Sequence, residues 1–538
     1  MTRLVVGDLP RVNAERDPAG VAYVHGDRSW TWARIESRVN GLAHVLRGEL
    51  GLGTGDVVGI LADNRPEHLE LMFAASRAKA IHTALKTRSH VAEMLRQFDD
   101  APMRALVVGP GFEKQAAELA EQRDVRLVGL EGTAIGDSYE SLIAGAPAEE
   151  IPSHQDPEAV YSIMYTSGST GEPKGVAVAS RNELAFSWSI AWSVEADPDD
   201  VYIDVLPLVH RGGQYIAMCA ALFGRPTVIG VPDPAAMLAA IARHRVTVAI
   251  LVPTIAKMMV DLLDRDPGSH DISSLRHFLV GSSAVPPELV KRILAAFPAA
   301  GISQIGGSSE GAATLCLTAE DYREIARNPA VEHRAASVGR PAPGVRVRLV
   351  DGCDNVLGDD RVGELVYQAD AFIEAYWNKP ELTKATWRGG WFHSGDLAYR
   401  DADGYYYYKD RLFGRIKTGA ETVFSREVEN VLITHADVAE VAVVGVPDEH
   451  WGEAVAAVVV TTRPTATEAE RSEFAEELAD LVRGALARFK VPKQFVFTTG
   501  LPKTALMKVP YGEVKQAVID GSLPAAASVS TMSTGRDG

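Results

Sequence analysis

Short apolar runs alternate with amphipathic segments through the first 310 residues of the chain. Residues 56–62 have the pattern of a buried strand, and residues 66–76 follow with apolar positions at helical spacing. The same alternation recurs over 246–263, where an apolar run reaches Pro253 and a helical pattern begins. Because strands that alternate with helices join largely parallel sheets, we predict an α/β fold with two parallel-type sheets covered on both faces.

The pattern changes after about residue 335. Residues 345–350 and 363–367 alternate apolar and polar positions beside Gly and Asp, which predicts a small antiparallel β subdomain over about 335–410. Two later strand patterns and a helical pattern over 468–486 predict a smaller α+β unit. We therefore predict a large N-terminal domain, a smaller C-terminal domain and a disordered tail rich in Ala, Ser and Thr. The predicted bounds are 1–413, 414–522 and 523–538.

Composition and charge exclude several classes of protein. With 46% hydrophobic and 23% charged residues the chain is neither disordered nor fibrous. The formal charge of −17 disfavours nucleic acid as a partner, so a bound anion must be held by local groups. Cys219, Cys316 and Cys353 have neither disulfide nor metal-ligand spacing. With no signal-peptide pattern and no apolar run of about 18 residues, we expect a cytoplasmic protein without a membrane span.

The most informative segment is residues 165–176, which read Tyr-Thr-Ser-Gly-Ser-Thr-Gly-Glu-Pro-Lys-Gly-Val after a predicted strand. Its glycines let backbone N–H groups converge on an anion, and its hydroxyls add further donors. Lys174 can place a point charge on a phosphate. A flexible linker would explain Gly and Ser but not the Pro-Lys-Gly ending, and the P-loop pattern does not fit. The segment therefore predicts a phosphate-binding loop.

This loop resembles that of the adenylate-forming superfamily, which includes acyl-CoA synthetases, peptide-synthetase adenylation domains and luciferases. Further motifs follow in that family's order as far as residue 508. The resemblance implies that a carboxylate attacks the α-phosphate of MgATP, pyrophosphate leaves, and a thiol then displaces AMP from the acyl-adenylate. It also implies a mobile C-terminal domain that rotates between the two half-reactions, and ATP/AMP, Mg²⁺ and coenzyme A as cofactors.

The resemblance also assigns roles to particular residues. Asp396 would hold both ribose hydroxyls, which suits a carboxylate because it accepts two hydrogen bonds. Glu310 and Thr170 would bind Mg²⁺, and Lys508 would stabilise charge during adenylation. The implied catalytic residues are Lys508, Glu310, Ser309 and His210. The implied nucleotide- and cofactor-binding residues are Thr166, Ser167, Gly168, Ser169, Thr170, Gly171, Lys174, Gly281, Ser282, Ser283, Gly307, Ser308, Asp396, Arg411, Lys417 and Gly419. Taken singly, Asp396 could be a turn residue, Lys508 a surface charge and Glu310 an acid at a helix start.

Some positions depart from the family pattern. Gly306 stands where an aromatic residue usually stacks on adenine, which removes a stacking face and leaves room beside the acyl pocket. At the hinge, Phe413 stands where Asp or Lys is usual and is followed by Gly414, and Met507 replaces the glycine before the mobile lysine. Ordinary family drift is the preferred explanation. The other explanation is a weakened first half-reaction, in an enzyme that mainly accepts a preformed acyl-adenylate.

The acyl pocket is assigned to His210, Arg211, Gly212, Gly213, Gly306 and Gly307. His210 resembles the wall of the pocket. Arg211 falls about where amino-acid-activating relatives place an aspartate, and a cation there would repel an α-amine, although this side chain could instead face solvent. The glycines suggest room for a bulky acid.

We predict an acyl-CoA ligase that acts on a non-amino, bulky carboxylic acid. No carrier-protein serine motif follows residue 510, so free CoA is the expected thiol, and Gly419 and Ala420 would lie in the pantetheine channel. The alternatives are thioester formation from a preformed adenylate, acyl transfer to a separate carrier protein, and a non-catalytic nucleotide-binding protein. A homodimer is left open.

Overall fold

A computed structural model describes most of the chain, in two units. The described residues are 4–151, 156–167, 173–281, 285, 287–311, 314–411, 415–419, 421–463, 467–502, 509, 511–523 and 530–531. The first unit comprises residues 1–87, 98–165 and 175–410. The second comprises residues 88–97, 166–174 and 411–538. The domain bounds given above stay a prediction.

The first large sheet has nine described strands with a parallel centre and antiparallel edges. In spatial order they are Arg340–Pro341, Leu315–Leu317, Gly301–Gly306, His277–Val280, Val248–Leu251, Tyr202–Asp204, Thr227–Ile229, Val21–His25 and Arg28–Thr31. The six strands from Gly301–Gly306 to Val21–His25 pair in parallel, so their carboxyl ends share one edge.

The second large sheet has seven described strands. They are Asp137–Ser138, Arg126–Gly129, Met103–Val108, Val57–Leu61, Ile81–Ala84, Val160–Ser167 and Pro173–Ala179. A third, five-stranded sheet is antiparallel and consists of Arg346–Val350, Gly363–Gln368, Trp391–Arg400, Trp387–Arg388 and Tyr406–Arg411.

Helices with an apolar face can bury it against a sheet. The helix Pro66–Ala78 is buried along its whole length, with Phe73 and Met72 in the core of the first unit. The other α-helices assigned to residues 1–410 are Leu9–Arg16, Trp32–Arg47, Val91–Asp100, Glu113–Gln122, Tyr139–Gly145, Ser180–Ser193, Arg211–Phe223, Pro234–His244, Pro253–Arg265, Pro287–Ala296, Ala319–Arg327 and Pro380–Thr386. Two 3₁₀ helices span Val6–Asp8 and Pro329–Ala336.

The second unit is built on a six-stranded sheet. Its strands are Glu421–Phe424, Arg415–Thr418, Gly452–Thr461, Gln494–Thr498, Ser530–Thr531 and Val438–Asp448. Its helices are Ser425–Leu432, Glu468–Ala485, the 3₁₀ turn Arg488–Lys490 and Tyr511–Asp520. Two separate apolar clusters pack on this sheet. One includes Phe474 and the other includes Val514.

The predicted fold class is confirmed: two largely parallel sheets, a small antiparallel sheet and a smaller α+β unit. Within the tail predicted to be disordered, Ser530–Thr531 pairs with the strand Gln494–Thr498. Among the described helices, none has the length and apolar character required to cross a bilayer.

Candidate functional site

Three segments with predicted site residues follow three of the parallel strands of the nine-stranded sheet. Gly281 follows His277–Val280, Gly307 follows Gly301–Gly306, and His210 lies in the loop after Tyr202–Asp204. Ligands of open parallel sheets bind outside the carboxyl ends of the strands. The topology therefore brings these three segments to the edge where a ligand is expected.

Glu310 is held in a turn just beyond the strand Gly301–Gly306. Its Oε1 accepts a hydrogen bond of 2.8 Å from the Tyr376 hydroxyl, and its carbonyl accepts one of 2.8 Å from the Ile373 N–H. Gly311 is required here, because an added Cβ would lie 2.3 Å from the Phe372 ring. The carboxylate is therefore fixed by backbone and side chain together. Ser308 and Ser309 are partly buried beside it in the same turn.

No group of three His, Cys, Asp or Glu side chains forms a metal cluster in the part of the chain that the structure describes. A lone carboxylate nevertheless suits Mg²⁺, which commonly uses one or two carboxylates together with substrate phosphates and water. Glu310 fits that donor set. Thr170, the other predicted ligand, lies outside the described residues.

Asp396 lies on the strand Trp391–Arg400 in a tightly bonded kink. Gly395 has a φ of +71°, and its N–H donates to Glu364 Oε1 at 3.0 Å. The Ser394 hydroxyl donates to the Leu365 carbonyl at 2.7 Å and accepts from the Asp396 N–H at 3.0 Å. The Asp396 backbone is thus fixed by its neighbours.

Glu364 also contacts His393, two residues before the kink. The His393 Nδ1 lies 3.0 Å from Glu364 Oε2 and 2.8 Å from Arg388 Nη2. The sequence did not identify Glu364 as a supporting residue, because 31 residues separate it from Gly395. Only the antiparallel pairing of Gly363–Gln368 with Trp391–Arg400 brings the two together.

The predicted phosphate loop is described at its two ends. Thr166 and Ser167 end the strand Val160–Ser167, and Lys174 lies in the strand Pro173–Ala179, which leaves the loop. Gly175 is required by packing, because an added Cβ would lie 2.9 Å from both Ile163 and Trp377. The glycine of the Pro-Lys-Gly ending therefore has a structural reason of its own.

His210 precedes the helix Arg211–Phe223, and Asn64 holds the segment before it through two hydrogen bonds. Asn64 donates to the Leu206 carbonyl and accepts from the Leu208 N–H, both at 2.8 Å. Asp204, at the end of the preceding strand, is fully buried. Burial raises the pKa of its carboxyl well above the ordinary value, although the hydrogen bond from the Leu206 N–H opposes this rise. His210 is partly buried, and its backbone N–H donates to the Pro207 carbonyl at 2.9 Å.

The structure corrects the interpretation of Arg211. This side chain is 5% exposed and its Nη1 donates to Oε2 of Glu183, which is 0% exposed and also accepts from the Tyr161 hydroxyl at 2.8 Å. Burial lowers the pKa of Arg211, but the Glu183 carboxylate and the hydroxyls of Tyr161 and Tyr215 together raise that pKa above its ordinary value. The guanidinium neither faces solvent nor stands unpaired, so the argument that it repels an α-amine loses its basis.

The glycines assigned to the acyl pocket differ in their surroundings. A Cβ on Gly213 would lie 2.3 Å from the Pro207 carbonyl oxygen, so this glycine serves the close approach of helix and loop and adds no pocket space. A Cβ added to Gly212 would lie 3.6 Å from the Leu206 side chain. A Cβ added to Gly306 would lie 3.4 Å from Val338 and 3.6 Å from the Tyr408 hydroxyl, which are ordinary van der Waals distances. Gly307 is exposed.

Two predicted residues of the second unit lie close together in sequence. Lys417 is exposed, and its backbone N–H donates to Glu453 Oε2 at 2.8 Å. Gly419 has a φ of +61° and an added Cβ would lie 3.1 Å from the Trp451 ring. Arg411 ends the strand Tyr406–Arg411. The remaining predicted residues lie outside the described residues: Gly168, Ser169, Thr170, Gly171, Ser282, Ser283, Phe413, Gly414, Ala420, Met507 and Lys508.

Comparison with known proteins covers both units. The family model of AMP-binding enzymes matches residues 11–377, and that of the AMP-binding enzyme C-terminal domain matches residues 427–508. A medium/long-chain-fatty-acid–CoA ligase of Mycobacterium tuberculosis is 33% identical over 90% of this chain and 85% of its own. An indoleacetate–CoA ligase of Aromatoleum aromaticum is 34% identical over 94% and 96%. The solved structure of an amide bond synthetase from Marinactinospora thermotolerans has a TM-score of 0.83 at 30% identity, covering 95% of this chain and 99% of that one.

Proposed function

Because the chain belongs to the AMP-binding enzymes of the adenylate-forming superfamily and is an acyl-CoA ligase, we propose that its substrate is a bulky carboxylic acid without an α-amino group. The enzyme uses ATP and CoA and releases AMP. The observation that carries the proposal is the similarity, over at least 85% of each chain, to ligases named for a fatty acid and for indoleacetate.

The exclusion of amino acids rests on the segment 205–214, which contains no acidic residue. The nearby Glu183 is paired with Arg211 and Tyr161. A substrate ammonium group would therefore be desolvated without a counter-charge from these residues, which is costly.

The proposed roles of the site residues are those that the family resemblance implies, and the chemistry of the side chains is consistent with them. Asp396 holds the ribose hydroxyls, and the loop that ends at Lys174 binds the β- and γ-phosphates. Glu310 supplies a carboxylate for Mg²⁺, which would neutralise phosphate charge when bound. His210 shapes the acyl pocket, and Gly419 borders the path of the thiol. The CoA-ligase relatives do not favour the alternatives of a carrier protein or of thioester formation alone. The cytoplasmic location and the homodimer stay predictions.

A matched pair of acids tests the proposed substrate class. We expect kcat/KM for 3-phenylpropionate to exceed that for phenylalanine, which differs from it only by the α-amine, by at least about 100-fold. Pyrophosphate release and acyl-CoA formation are measured with ATP, Mg²⁺ and CoA, and the panel includes decanoate and indole-3-acetate. Preferential activation of phenylalanine, or acid-dependent pyrophosphate release without any acyl-CoA, would contradict the proposal.

Lys508→Ala tests the predicted catalytic lysine. We expect it to slow acyl-CoA formation from ATP and acid by about 100-fold, since one charge-stabilising donor is lost. The rate from synthetic acyl-AMP and CoA should change by less than about twofold, because the lysine is assigned to adenylation alone. Lys493→Ala, at an exposed lysine of the same unit, is the control. Equal loss of both half-reactions would disprove the assigned role.

A further inference from the structure

The residues Tyr376, Trp377 and Asn378 connect several parts of the proposed site within the first unit. Tyr376 bonds Glu310 through its hydroxyl at 2.8 Å. The backbone N–H of Trp377 donates to the Gly175 carbonyl at 2.7 Å. The three residues lie outside every motif that the sequence singled out, and they form a segment between two rigid elements, the strand Gly363–Gln368 and the helix Pro380–Thr386.

Tyr376 is itself fixed in place. Its side chain is 7% exposed and packs in the main apolar core. Its N–H donates to the Thr383 hydroxyl at 3.0 Å, and its backbone forms an antiparallel bridge with Val176. Because backbone and ring are both held, the hydroxyl offers Glu310 a donor at a defined position. A hydrogen bond to a charged group from such a shielded position is stronger than one made in water.

Trp377 and Asn378 both bond the end of the helix Val91–Asp100. Trp377 Nε1 and Asn378 Nδ2 donate to the Asp100 carbonyl at 3.2 and 2.9 Å. Asp100 Oδ2 in turn accepts from the Tyr165 hydroxyl at 2.6 Å. Tyr165 directly precedes the loop and Gly175 directly follows Lys174. The same short segment thus bonds Glu310 and Gly175 directly, and it is linked to Tyr165 through Asp100.

We propose that Tyr376 is a positioning residue for Glu310: its hydroxyl orients the carboxylate for the Mg²⁺ role proposed above, while the contacts of Trp377 and Asn378 with the Gly175 and Asp100 carbonyls fix the segment that carries it. This inference rests on the proposed role of Glu310 in Mg²⁺ binding. It assigns to the segment 376–378 a function in the adenylation half-reaction only, since thioester formation from acyl-AMP uses no magnesium-bound triphosphate.

The test is Tyr376→Phe in the full-length enzyme, which removes the hydroxyl and keeps the ring in the core. We expect the Mg²⁺ concentration that half-saturates ATP binding, measured by isothermal titration calorimetry, to rise about tenfold. Acid-dependent ATP–pyrophosphate exchange should fall by a similar factor. Thioester formation from synthetic acyl-AMP and CoA, and the melting temperature, should stay at wild-type values within about twofold and about 2 °C.

Tyr407→Phe is the matched control, because it removes a hydroxyl that donates to Asp401 Oδ2 at 2.9 Å in the same unit. It should leave the Mg²⁺ dependence unchanged. An unchanged Mg²⁺ dependence in Tyr376→Phe, or an equal fall in thioester formation, would overturn the positioning role.

Glu310→Gln separates this inference from the proposed function. If Glu310→Gln does not alter the Mg²⁺ dependence, the metal role of Glu310 is wrong. If it does and Tyr376→Phe does not, only the positioning role is wrong. If both single variants raise the Mg²⁺ concentration required, the double variant should raise it by less than the product of the two single effects. The reason is that the effects of two residues that share one hydrogen bond are not additive.

Discussion

Asp396→Ala should lower kcat/KM for ATP by about 1000-fold, because two hydrogen bonds to a charged group, each worth about 2 kcal/mol, are lost together. The backbone around Asp396 is held by Ser394 and by the Glu364 carboxylate through Gly395. Truncation of the side chain should therefore remove the ribose contact without displacing the strand. The measurement is steady-state acyl-CoA formation at varied ATP, compared with 2′-deoxy-ATP.

The two nucleotides provide the control for this substitution. Wild type should prefer ATP over 2′-deoxy-ATP, and Asp396→Ala should lose that preference. Asp396→Asn, which retains one acceptor oxygen, should show an intermediate preference. If Asp396→Ala still discriminated between the nucleotides as wild type does, the carboxylate would not be the ribose ligand.

Arg211→Met should lower the free energy of unfolding by about 3–5 kcal/mol, because it leaves the buried Glu183 carboxylate without its cation. The substitution retains an apolar stem near Phe186, whose ring centroid lies 4.8 Å from the guanidinium carbon. The loss is therefore mainly electrostatic. It is measured by urea unfolding followed by tryptophan fluorescence.

Two further variants separate the charge effect from packing. Glu183→Leu combined with Arg211→Met removes both charges and should recover most of the lost stability, since replacing a buried ion pair by apolar groups is often neutral. Lys257→Ala breaks an exposed pair with Asp261 and should cost less than about 1 kcal/mol. A cost for Arg211→Met as small as that for Lys257→Ala would show that the buried pair does not stabilise the fold.

The prediction of the fold class and family succeeded because both depend on local pattern. Strand and helix periodicity over 56–76 is a property of neighbouring residues, and the structure has the strand Val57–Leu61 and the helix Pro66–Ala78 there. The phosphate-loop motif is likewise contiguous, and the resemblance it carried is confirmed by the family models.

The interpretation of single residues succeeded less well where their partners are distant. Arg211 looked like a pocket cation, yet its charge is neutralised by Glu183, 28 residues away. Gly213 looked like a source of pocket space, yet the Pro207 carbonyl occupies the position of its missing side chain. Neither contact has a periodic signal in the sequence.

The amino-acid sequence by itself determined the alternation of strands and helices, the parallel type of the two large sheets, the antiparallel type of the small one and the chemistry of the motifs, because these follow from residues that are neighbours along the chain. Only the tertiary structure decided which groups support the motifs. Tyr376 reaches Glu310 across 66 residues, and Glu364 reaches Gly395 across 31. Such contacts depend on strand pairing and packing between elements, and these arise only when the whole chain folds.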